Sequence, residues 1–305
     1  MRLFVTGGTG AIGRHTVPAL VAAGHEVTAL ARGPEKAAAL ASRGARPIQV
    51  SLFDTDTLTK AFAHHDAVVN LASALPSMNK FASAKAWAHN NEVRIKGSTS
   101  VVDAALAAEV PVVVQESVAM LYKSQGNSWI DETMPVDHYP IAKGNHAAEA
   151  NAQRFTDAGG TGIVLRFGLF YGQGAAHCEQ MLAMAKWHVA MMTGPGEGYQ
   201  SSIHVMDGAE AIASILDAAA GIYNVVDDEP LTTRAFADAL ADAVHTKAWL
   251  RPPGRAALLL GERLTSLTRS LRVSNGKIRT ATGWAPRHPD AREGLAATAA
   301  ALHLA

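Results

Sequence analysis

The chain of 305 residues lacks several features that mark broad classes of protein. Its one cysteine, Cys178, excludes an intramolecular disulfide and fits a reducing compartment. Its 27 basic residues equal its 27 acidic residues, whereas nucleic-acid-binding proteins usually carry a basic excess. No apolar run approaches the roughly 20 residues that a membrane span needs, and no secretory signal precedes the first strand. We therefore expect a cytoplasmic protein that binds neither nucleic acid nor a membrane.

The first half of the sequence alternates short apolar runs with helical patterns. Hydrophobic residues make up 48% of the chain, enough for a large core. The runs begin with Leu3–Thr6 and continue to Val112–Val114, and these two are continuous rather than apolar at every second position. Such runs are typical of parallel strands covered on both faces. The sequence therefore predicts an α/β fold with a Rossmann-type doubly wound parallel sheet.

The second half is less regular and contains no clean linker. We expect residues 1–167 to form the dinucleotide-binding Rossmann domain, with residues 203–226 returning to it. Residues 168–202 and 227–305 would then form a smaller, interleaved substrate-binding lobe. Long helices are predicted over residues 93–109 and 141–157.

A glycine-rich segment follows the first predicted strand directly. Thr6–Gly13 satisfies the GxGxxG pattern and lies between a strand and a helix, which is the context that the pattern requires. Glycines allow the backbone to approach a pyrophosphate, and the helix N-terminus offers free N–H groups. A plain glycine-rich turn is the alternative, but the coincidence of strand, motif and helix favours a dinucleotide site. The residues expected at the pyrophosphate are Gly7, Gly10, Ala11, Ile12 and Gly13.

The end of the second predicted strand bears on the type of dinucleotide. NAD sites usually have an acidic residue there, which binds the ribose 2′-hydroxyl. This strand instead runs into Leu30-Ala31-Arg32. Arg32 could bind a 2′-phosphate, or it could be a solvated surface arginine. The sequence favours NADP and leaves NAD open.

Tyr139 and Lys143 form a YxxxK pattern. Residues four apart on a helix share a face, so the phenol and the ammonium would point the same way. Pro140 suits the first helical position and places Tyr139 at the helix cap. A phenol near a cation loses its proton more readily, which suits acid–base chemistry beside a nicotinamide. The pattern is common by chance, and its place after the fifth strand of a dinucleotide fold gives it weight.

These motifs together resemble the short-chain dehydrogenase/reductase superfamily, in particular its extended branch, the NAD-dependent epimerase/dehydratase family. The similarity extends over essentially the whole chain. Further matching segments are Asn70–Ser73, Leu165–Phe167 with Tyr171-Gly172, His204–Asp207, and Gly283-Trp284. The resemblance implies that Asp54, Leu71, Ala72, Ser73, Lys143 and Phe167 also contact the cofactor.

The sequence departs from the family pattern at several places. The Ser or Thr that orients the substrate oxygen in the family falls at Val118, so Ser117 is the best candidate for that role. Two residues that bind the diphosphate of sugar nucleotides in the family align with Leu169 and Gln200, which cannot replace a charge-assisted contact. A sugar-nucleotide substrate is therefore disfavoured.

The resemblance implies an NAD(P)-dependent oxidoreductase that transfers hydride between the nicotinamide and a hydroxyl- or carbonyl-bearing carbon of a small or partly apolar substrate. Tyr139 would be the acid/base, with Lys143 and Ser117 as its partners. Two alternatives stay open: an epimerase or dehydratase whose bound cofactor is transiently reduced, and a non-catalytic NAD(P)-binding sensor. No CxxC or HExxH spacing predicts a metal. Relatives often dimerise through helices that correspond to residues 93–109 and 141–157, which makes a homodimer an open expectation.

Overall fold

The computed structural model describes residues 1–76, 83–190, 194–249 and 268–304. A seven-stranded sheet lies at its centre, and every pair of neighbouring strands in it is parallel. The strands are β1 (Arg2–Thr6), β2 (Glu26–Leu30), β3 (Arg46–Ile48), β4 (Ala67–Asn70), β5 (Val112–Val118), β7 (Thr161–Phe167) and β11 (Gly221–Val225). Their order is β11-β7-β5-β4-β1-β2-β3. The predicted doubly wound parallel sheet is confirmed.

Helices cover both faces of the sheet. They are α1 (Gly13–Ala22), α2 (Pro34–Ala41), α3 (Thr55–Phe62), α4 (Ala84–Glu92), α5 (Ser98–Ala107), α6 (Lys143–Asp157) and α8 (Val205–Ser214). The side chains of β1 alternate between two cores: Leu3 and Val5 belong to one, and Phe4 belongs to the other. The continuous apolar runs in the sequence follow from this arrangement, because the central strands, such as β4, are buried on both faces.

The remaining elements form a smaller region beside the sheet. Three short strand pairs lie there: β8 (Leu169–Tyr171) with β10 (Ser202–His204), β9 (Tyr199–Gln200) with β12 (Leu231–Thr232), and β6 (Trp129–Ile130) with β13 (Arg272–Val273). The helices are α7 (Ala176–Lys186), α9 (Thr233–Ala243), α10 (Gly276–Thr282) and α11 (Ala291–Ala301). A separate core joins α7, α9 and α11 through Leu182, Leu240 and Leu295.

Two predicted elements differ from the structure. The helix expected over residues 93–109 begins earlier, at Ala84, and one π-helical turn, Val93–Gly97, joins α4 to α5. Strand β5 continues past Val114 to Val118, although its second half is polar. That half stays extended because it pairs with β7 as far as Phe167. Among the described residues, no helix is long and apolar enough to cross a membrane.

Candidate active site

The glycine-rich loop lies where β1 gives way to α1. The loop turns at Gly7, whose φ is +69°, and a Cβ there would lie 2.4 Å from the carbonyl oxygen of Leu71. A Cβ at Gly13 would lie 2.2 Å from the carbonyl oxygen of Gly7. The first turn of α1 has no side-chain cap and no acidic residue. The N–H groups of Arg14 and His15 donate to the carbonyl oxygens of Gly10 and Ile12, which leaves those of Ala11, Ile12 and Gly13 for an anion such as a dinucleotide pyrophosphate.

The other loop residues predicted at the cofactor differ in exposure. Gly10 is exposed, Ala11 is half-buried, and the side chain of Ile12 is buried. Ile12 and Phe167 both pack around Gly208 of α8, because a Cβ at Gly208 would lie 3.2 Å from Ile12 and 3.4 Å from Phe167. The structure thus places the ring of Phe167 in the core beneath the loop.

The residues predicted to lie at the adenosine end of the cofactor site follow β2 and β3. Arg32 is exposed just beyond this strand and before α2. Asp54 is the N-cap of α3, and its carboxylate accepts hydrogen bonds from the backbone N–H and the hydroxyl of Thr57 at 3.1 and 2.6 Å. These bonds lower the pKa of Asp54. The carboxylate predicted at the cofactor is therefore already used as a helix cap.

The segment after β4 borders the glycine loop from the other side. Leu71 is buried beneath Gly7, Ala72 is half-buried and Ser73 is exposed. The β1–β4 boundary is where the strand order reverses direction, and ligands of doubly wound sheets bind at such a point. The structure thus brings Leu71–Ser73 and the glycine loop together at one crevice.

A buried polar row closes the bottom of this crevice. Thr6, Asn70 and Gln115 stand side by side on β1, β4 and β5. The hydroxyl of Thr6 donates to Asn70 Oδ1 at 2.5 Å, and Asn70 Nδ2 donates to Gln115 Oε1 at 2.7 Å. Sequence reasoning missed Gln115. It follows three consecutive valines, and a polar residue directly after such an apolar run could have indicated a side chain at the end of the strand.

Tyr139 lies beside the end of β5. It has an extended backbone and caps a 3₁₀ turn over Pro140–Ala142, as the proline predicts. Its side chain is buried, and its hydroxyl donates to the carbonyl oxygen of Met120 at 2.9 Å. Its ring packs with Val118 and Leu121. The phenol therefore reaches the carboxyl end of the sheet, which is the side that carries the glycine loop.

A 3₁₀ turn interrupts the α-helical spacing predicted between Tyr139 and Lys143. The 3₁₀ turn separates the two residues, and α6 begins only at Lys143. The side chain of Lys143 is exposed, and the described part of the chain offers it no hydrogen bond or ion pair. The prediction assumed α-helical spacing from Tyr139 onward, and the 3₁₀ turn changes the direction in which the lysine projects.

Ser117 faces away from Tyr139. It is fully buried, and its hydroxyl donates to Glu149 Oε1 of α6 at 2.6 Å. Glu149 also accepts two hydrogen bonds from Arg166, at 2.9 and 2.7 Å. Successive strand residues point to opposite faces, so Val118, and not Ser117, packs in the cluster around Tyr139. The structure does not bring Ser117 to the position where it could orient a substrate oxygen.

The Ser117 network extends into the core. The guanidinium of Arg166 stacks over the ring of Tyr122 at 4.7 Å, and Tyr122 donates to Asn224 Oδ1 at 2.9 Å. Burial raises the pKa of Tyr122 to about 12, so this phenol stays protonated. The network joins β5, α6, β7 and β11, and its members hold one another in place. Glu149 also lines a cavity of about 260 Å³ between α6, β7 and β11, on the opposite side of β5 from Tyr139.

A pocket opens beside Tyr139 in the smaller region. It contains Met120, whose carbonyl oxygen accepts the hydrogen bond from Tyr139, and the charged residue Arg269. Its described lining consists of Met120, Leu169, Tyr199, Gln200, Ser201, Thr233, Arg269 and Leu271. The amide nitrogen of Gln200 is buried and has no hydrogen-bond partner among the described residues. The described lining thus combines an apolar wall with a few polar groups, around a cavity of about 30 Å³, which is far smaller than a usual small-molecule site.

A cluster of His204, Asp207 and His288 lies away from this pocket. Each of the three side chains has one nitrogen or oxygen atom that could bind a metal ion, and these atoms all lie within 4.8 Å of one another. His204 Nδ1 accepts the backbone N–H of Met206 at 3.3 Å, and His288 Nδ1 lies 2.8 Å from Asp207 Oδ2. Burial lowers the pKa of His204 to about 4. These contacts cap α8 and attach the segment before α11 to it.

Comparison with known proteins places the chain in a family. A sequence model of the NAD dependent epimerase/dehydratase family matches residues 3–226. A 3-diazoavenalumate denitrifying reductase from Streptomyces sp is 32% identical over 312 residues, covering 97% of this chain and 99% of that protein. A 4-hydroxy-2-methyl-3-oxo-4-farnesyl-3,4-dihydroquinoline-1-oxide ketoreductase from Stigmatella aurantiaca is 30% identical over 277 residues, covering 87% and 80%.

Solved structures show the same fold. The human epimerase family protein SDR39U1, solved with NADPH, superposes with a TM-score of 0.83 at 24% identity, covering 98% of this chain and 99% of that chain. The UDP-glucose 4-epimerase of Thermus thermophilus, solved with NAD, superposes with a TM-score of 0.79 at 25% identity, covering 99% of both chains.

Proposed function

The chain belongs to the NAD-dependent epimerase/dehydratase family, and on this basis we propose that it is an NAD(P)-dependent oxidoreductase of a small, partly apolar substrate. The position of Tyr139 carries the proposal. Its phenol lies at the carboxyl end of the sheet, beside an apolar pocket and on the side that bears the glycine loop. When bound, the nicotinamide supplies the hydride for reduction of a carbonyl-type carbon.

We assign the cofactor to the crevice at the β1–β4 boundary. The backbone of Gly7, Gly10 and Gly13 supports this, because the cradle has room for a pyrophosphate only while these positions lack side chains. Arg32 is exposed at the adenosine end, where no acidic residue follows β2, and this favours NADP. The exposed ammonium of Lys143 is assigned to the ribose beside the nicotinamide.

Tyr139 is the proposed proton donor. Its hydroxyl donates to the carbonyl oxygen of Met120. A substrate oxygen that takes the place of this carbonyl would receive the same hydrogen bond, and then the proton, as it is reduced. Val118 adjoins the phenol where the family has a hydroxyl, so we assign the proton transfer to the phenol and give Ser117 no part in it.

The pocket lining and the relatives support an aromatic or otherwise planar substrate. Met120, Leu169, Tyr199 and Leu271 provide apolar surface, and Gln200 carries no charge. Arg269, the charged group in the described lining, is already paired with Asp137 and so is not left to hold a diphosphate. The Streptomyces and Stigmatella relatives are named as reductases of conjugated, ring-containing compounds. We therefore propose reduction of a conjugated carbonyl or similar group, rather than conversion of a sugar nucleotide.

We propose the domain division expected from the sequence. Residues 1–167 with 203–226 would be the cofactor domain, supported by the position of β11 at the edge of the main sheet. Residues 168–202 and 227–305 would be the substrate lobe, supported by the separate core of α7, α9 and α11. A homodimer through α5 and α6 is proposed on the family resemblance alone.

The experiment measures cofactor binding and turnover separately. Purified protein is titrated with NADPH and NADH, and is then mixed with each cofactor and a panel of aromatic ketones, quinones and conjugated acids. UDP- and dTDP-hexoses form the comparison set. We expect net loss of the reduced-nicotinamide absorbance with members of the aromatic set only. Conversion of a sugar nucleotide without net oxidation of the cofactor, or cofactor binding with no turnover across the whole panel, would contradict the proposal.

A further inference from the structure

A buried cation from the C-terminal segment faces Tyr139. The side chain of Arg269 is 7% exposed, and the carbon of its guanidinium lies 4.8 Å from the centroid of the Tyr139 ring. This is the geometry of a cation–π contact. Arg269 also lines the pocket beside the phenol.

Two anchors fix the guanidinium of Arg269. Its Nη1 donates to the carbonyl oxygen of Tyr122 at 2.9 Å, and its Nη2 donates to the carboxylate of Asp137. Tyr122 is itself held by its hydrogen bond to Asn224. The cation therefore has one orientation, set by two groups that precede Tyr139 in the chain, whereas Lys143 is exposed on α6.

We propose that Arg269 is a positioning residue for Tyr139, and that it stabilises the phenolate left when the phenol has given up its proton. This inference rests on the proposed function. A cation near a titrating hydroxyl favours its anionic form, which is the role expected of Lys143 from the sequence pattern. The cation–π contact also fixes the plane of the ring, so that the hydroxyl points toward the pocket.

Other charged groups near Tyr139 also affect how readily its phenol ionises, and their charges decide the direction of the expected shifts in pH profile. Asp137 carries a negative charge close to the ring and offsets part of the charge on Arg269. Other titratable groups on the described neighbouring elements include Lys123, His138, Lys143 and His146, with His138 and His146 stacked at 4.1 Å, and, on α4, Lys85, His89 and Glu92. Arg269 should therefore favour the phenolate, and Asp137 should oppose it.

The test is the pH dependence of turnover in the direction of reduction, with NADPH saturating. Reduction needs the neutral phenol, so turnover falls as the pH rises through the ionisation of Tyr139. In Arg269→Gln we expect this fall to move to higher pH by about one unit and turnover at neutral pH to drop about tenfold. Arg269→Lys, which keeps the charge, should restore most of both. Asp137→Asn should move the fall to lower pH.

Arg272→Gln is the matched control. Arg272 makes the same kind of contact with Trp129 and Tyr199, at 4.2 and 4.9 Å, and does not touch Tyr139. Its pH profile should match that of the unmodified protein. If Arg269→Gln does not fold, Arg269→Lys and Asp137→Asn decide the question: Arg269→Lys should keep the parent profile, and Asp137→Asn should move the fall in turnover to lower pH.

The possible failures are distinguishable. If Tyr139→Phe retains full turnover, the proposed function is wrong. If Tyr139→Phe loses turnover but the Arg269 and Asp137 variants keep the parent pH profile, only the role of Arg269 is overturned. If Arg269→Gln raises only the KM and leaves the pH profile unchanged, the role of Arg269 is likewise overturned.

Discussion

The glycine loop offers substitutions whose effects on folding and on cofactor binding can be separated. In Gly13→Ala the new methyl group would lie 2.2 Å from the carbonyl oxygen of Gly7 and 2.7 Å from Cα of Gly8. Both are backbone atoms, so the loop must move, at a cost of about 1–3 kcal/mol. In Gly10→Ala the nearest atom would be the carbonyl oxygen of Gly7 at 3.2 Å, and the site is exposed. Its stability should change by no more than about 0.5 kcal/mol.

The two variants should differ in what they lose. Gly13→Ala should lower the free energy of unfolding and abolish NADPH binding together. Gly10→Ala should keep its stability and still lose affinity by at least about tenfold, roughly 1.4 kcal/mol, because its methyl group occupies the surface that meets the pyrophosphate. Gly33→Ala is the control, since it has extended backbone and no atom within 4 Å of the new carbon.

Denaturant titration measures the stability of these variants, and isothermal calorimetry measures their affinity for NADPH. If Gly10→Ala binds NADPH as tightly as Gly33→Ala does, the cofactor does not lie on this loop. If Gly13→Ala is as stable as Gly33→Ala, the close approach of Gly13 to Gly7 is wrong.

Three further predictions concern single residues. Arg32→Ala should weaken NADPH binding about tenfold and leave NADH binding unchanged in calorimetry, because only NADPH carries the 2′-phosphate; equal losses would contradict the NADP assignment. Ser117→Ala should cost about 1–3 kcal/mol in denaturant titration, because Glu149 loses a buried hydrogen bond, while turnover stays the same; the reverse would indicate a catalytic hydroxyl. The pKa of His288 is raised, chiefly by its hydrogen bond with Asp207, so its contribution to stability is present below the ordinary histidine pKa of about 6.5 and lost as the pH rises through the raised value. Thermal unfolding between about pH 6 and pH 9 should show this loss, and His288→Gln should remove it.

The fold was predictable because its signals are local. Each central strand is buried on both faces, so an unbroken apolar run such as Leu3–Thr6 identifies it. The glycine loop was predictable for a related reason: Gly7 and Gly13 are required by contacts within a few residues of the loop and with the strand beside it. The sequence also predicted the cap at Tyr139, since Pro140 favours the first position of a helical turn.

The partners of Tyr139 could not be predicted in the same way. Whether Ser117 or Val118 faces the phenol depends on the register of β5 against β7, and a shift of one residue exchanges the two faces. The direction of Lys143 depends on whether the turn after Tyr139 is 3₁₀ or α-helical. Arg269 comes from a distant segment and belongs to no motif, so only the folded chain brings it onto the ring.

The central claim is that the phenol of Tyr139 is the proton donor of the reaction. The most direct test is single-turnover reduction by Tyr139→Phe with NADPH bound, compared with Tyr223→Phe. The hydroxyl of Tyr223 also donates to a backbone carbonyl, that of Ala219 at 2.8 Å, but away from the pocket. We expect Tyr139→Phe to bind NADPH normally and to react about 100-fold to 10,000-fold more slowly, with Tyr223→Phe at the parent rate. Equal rates in the two variants would contradict the claim.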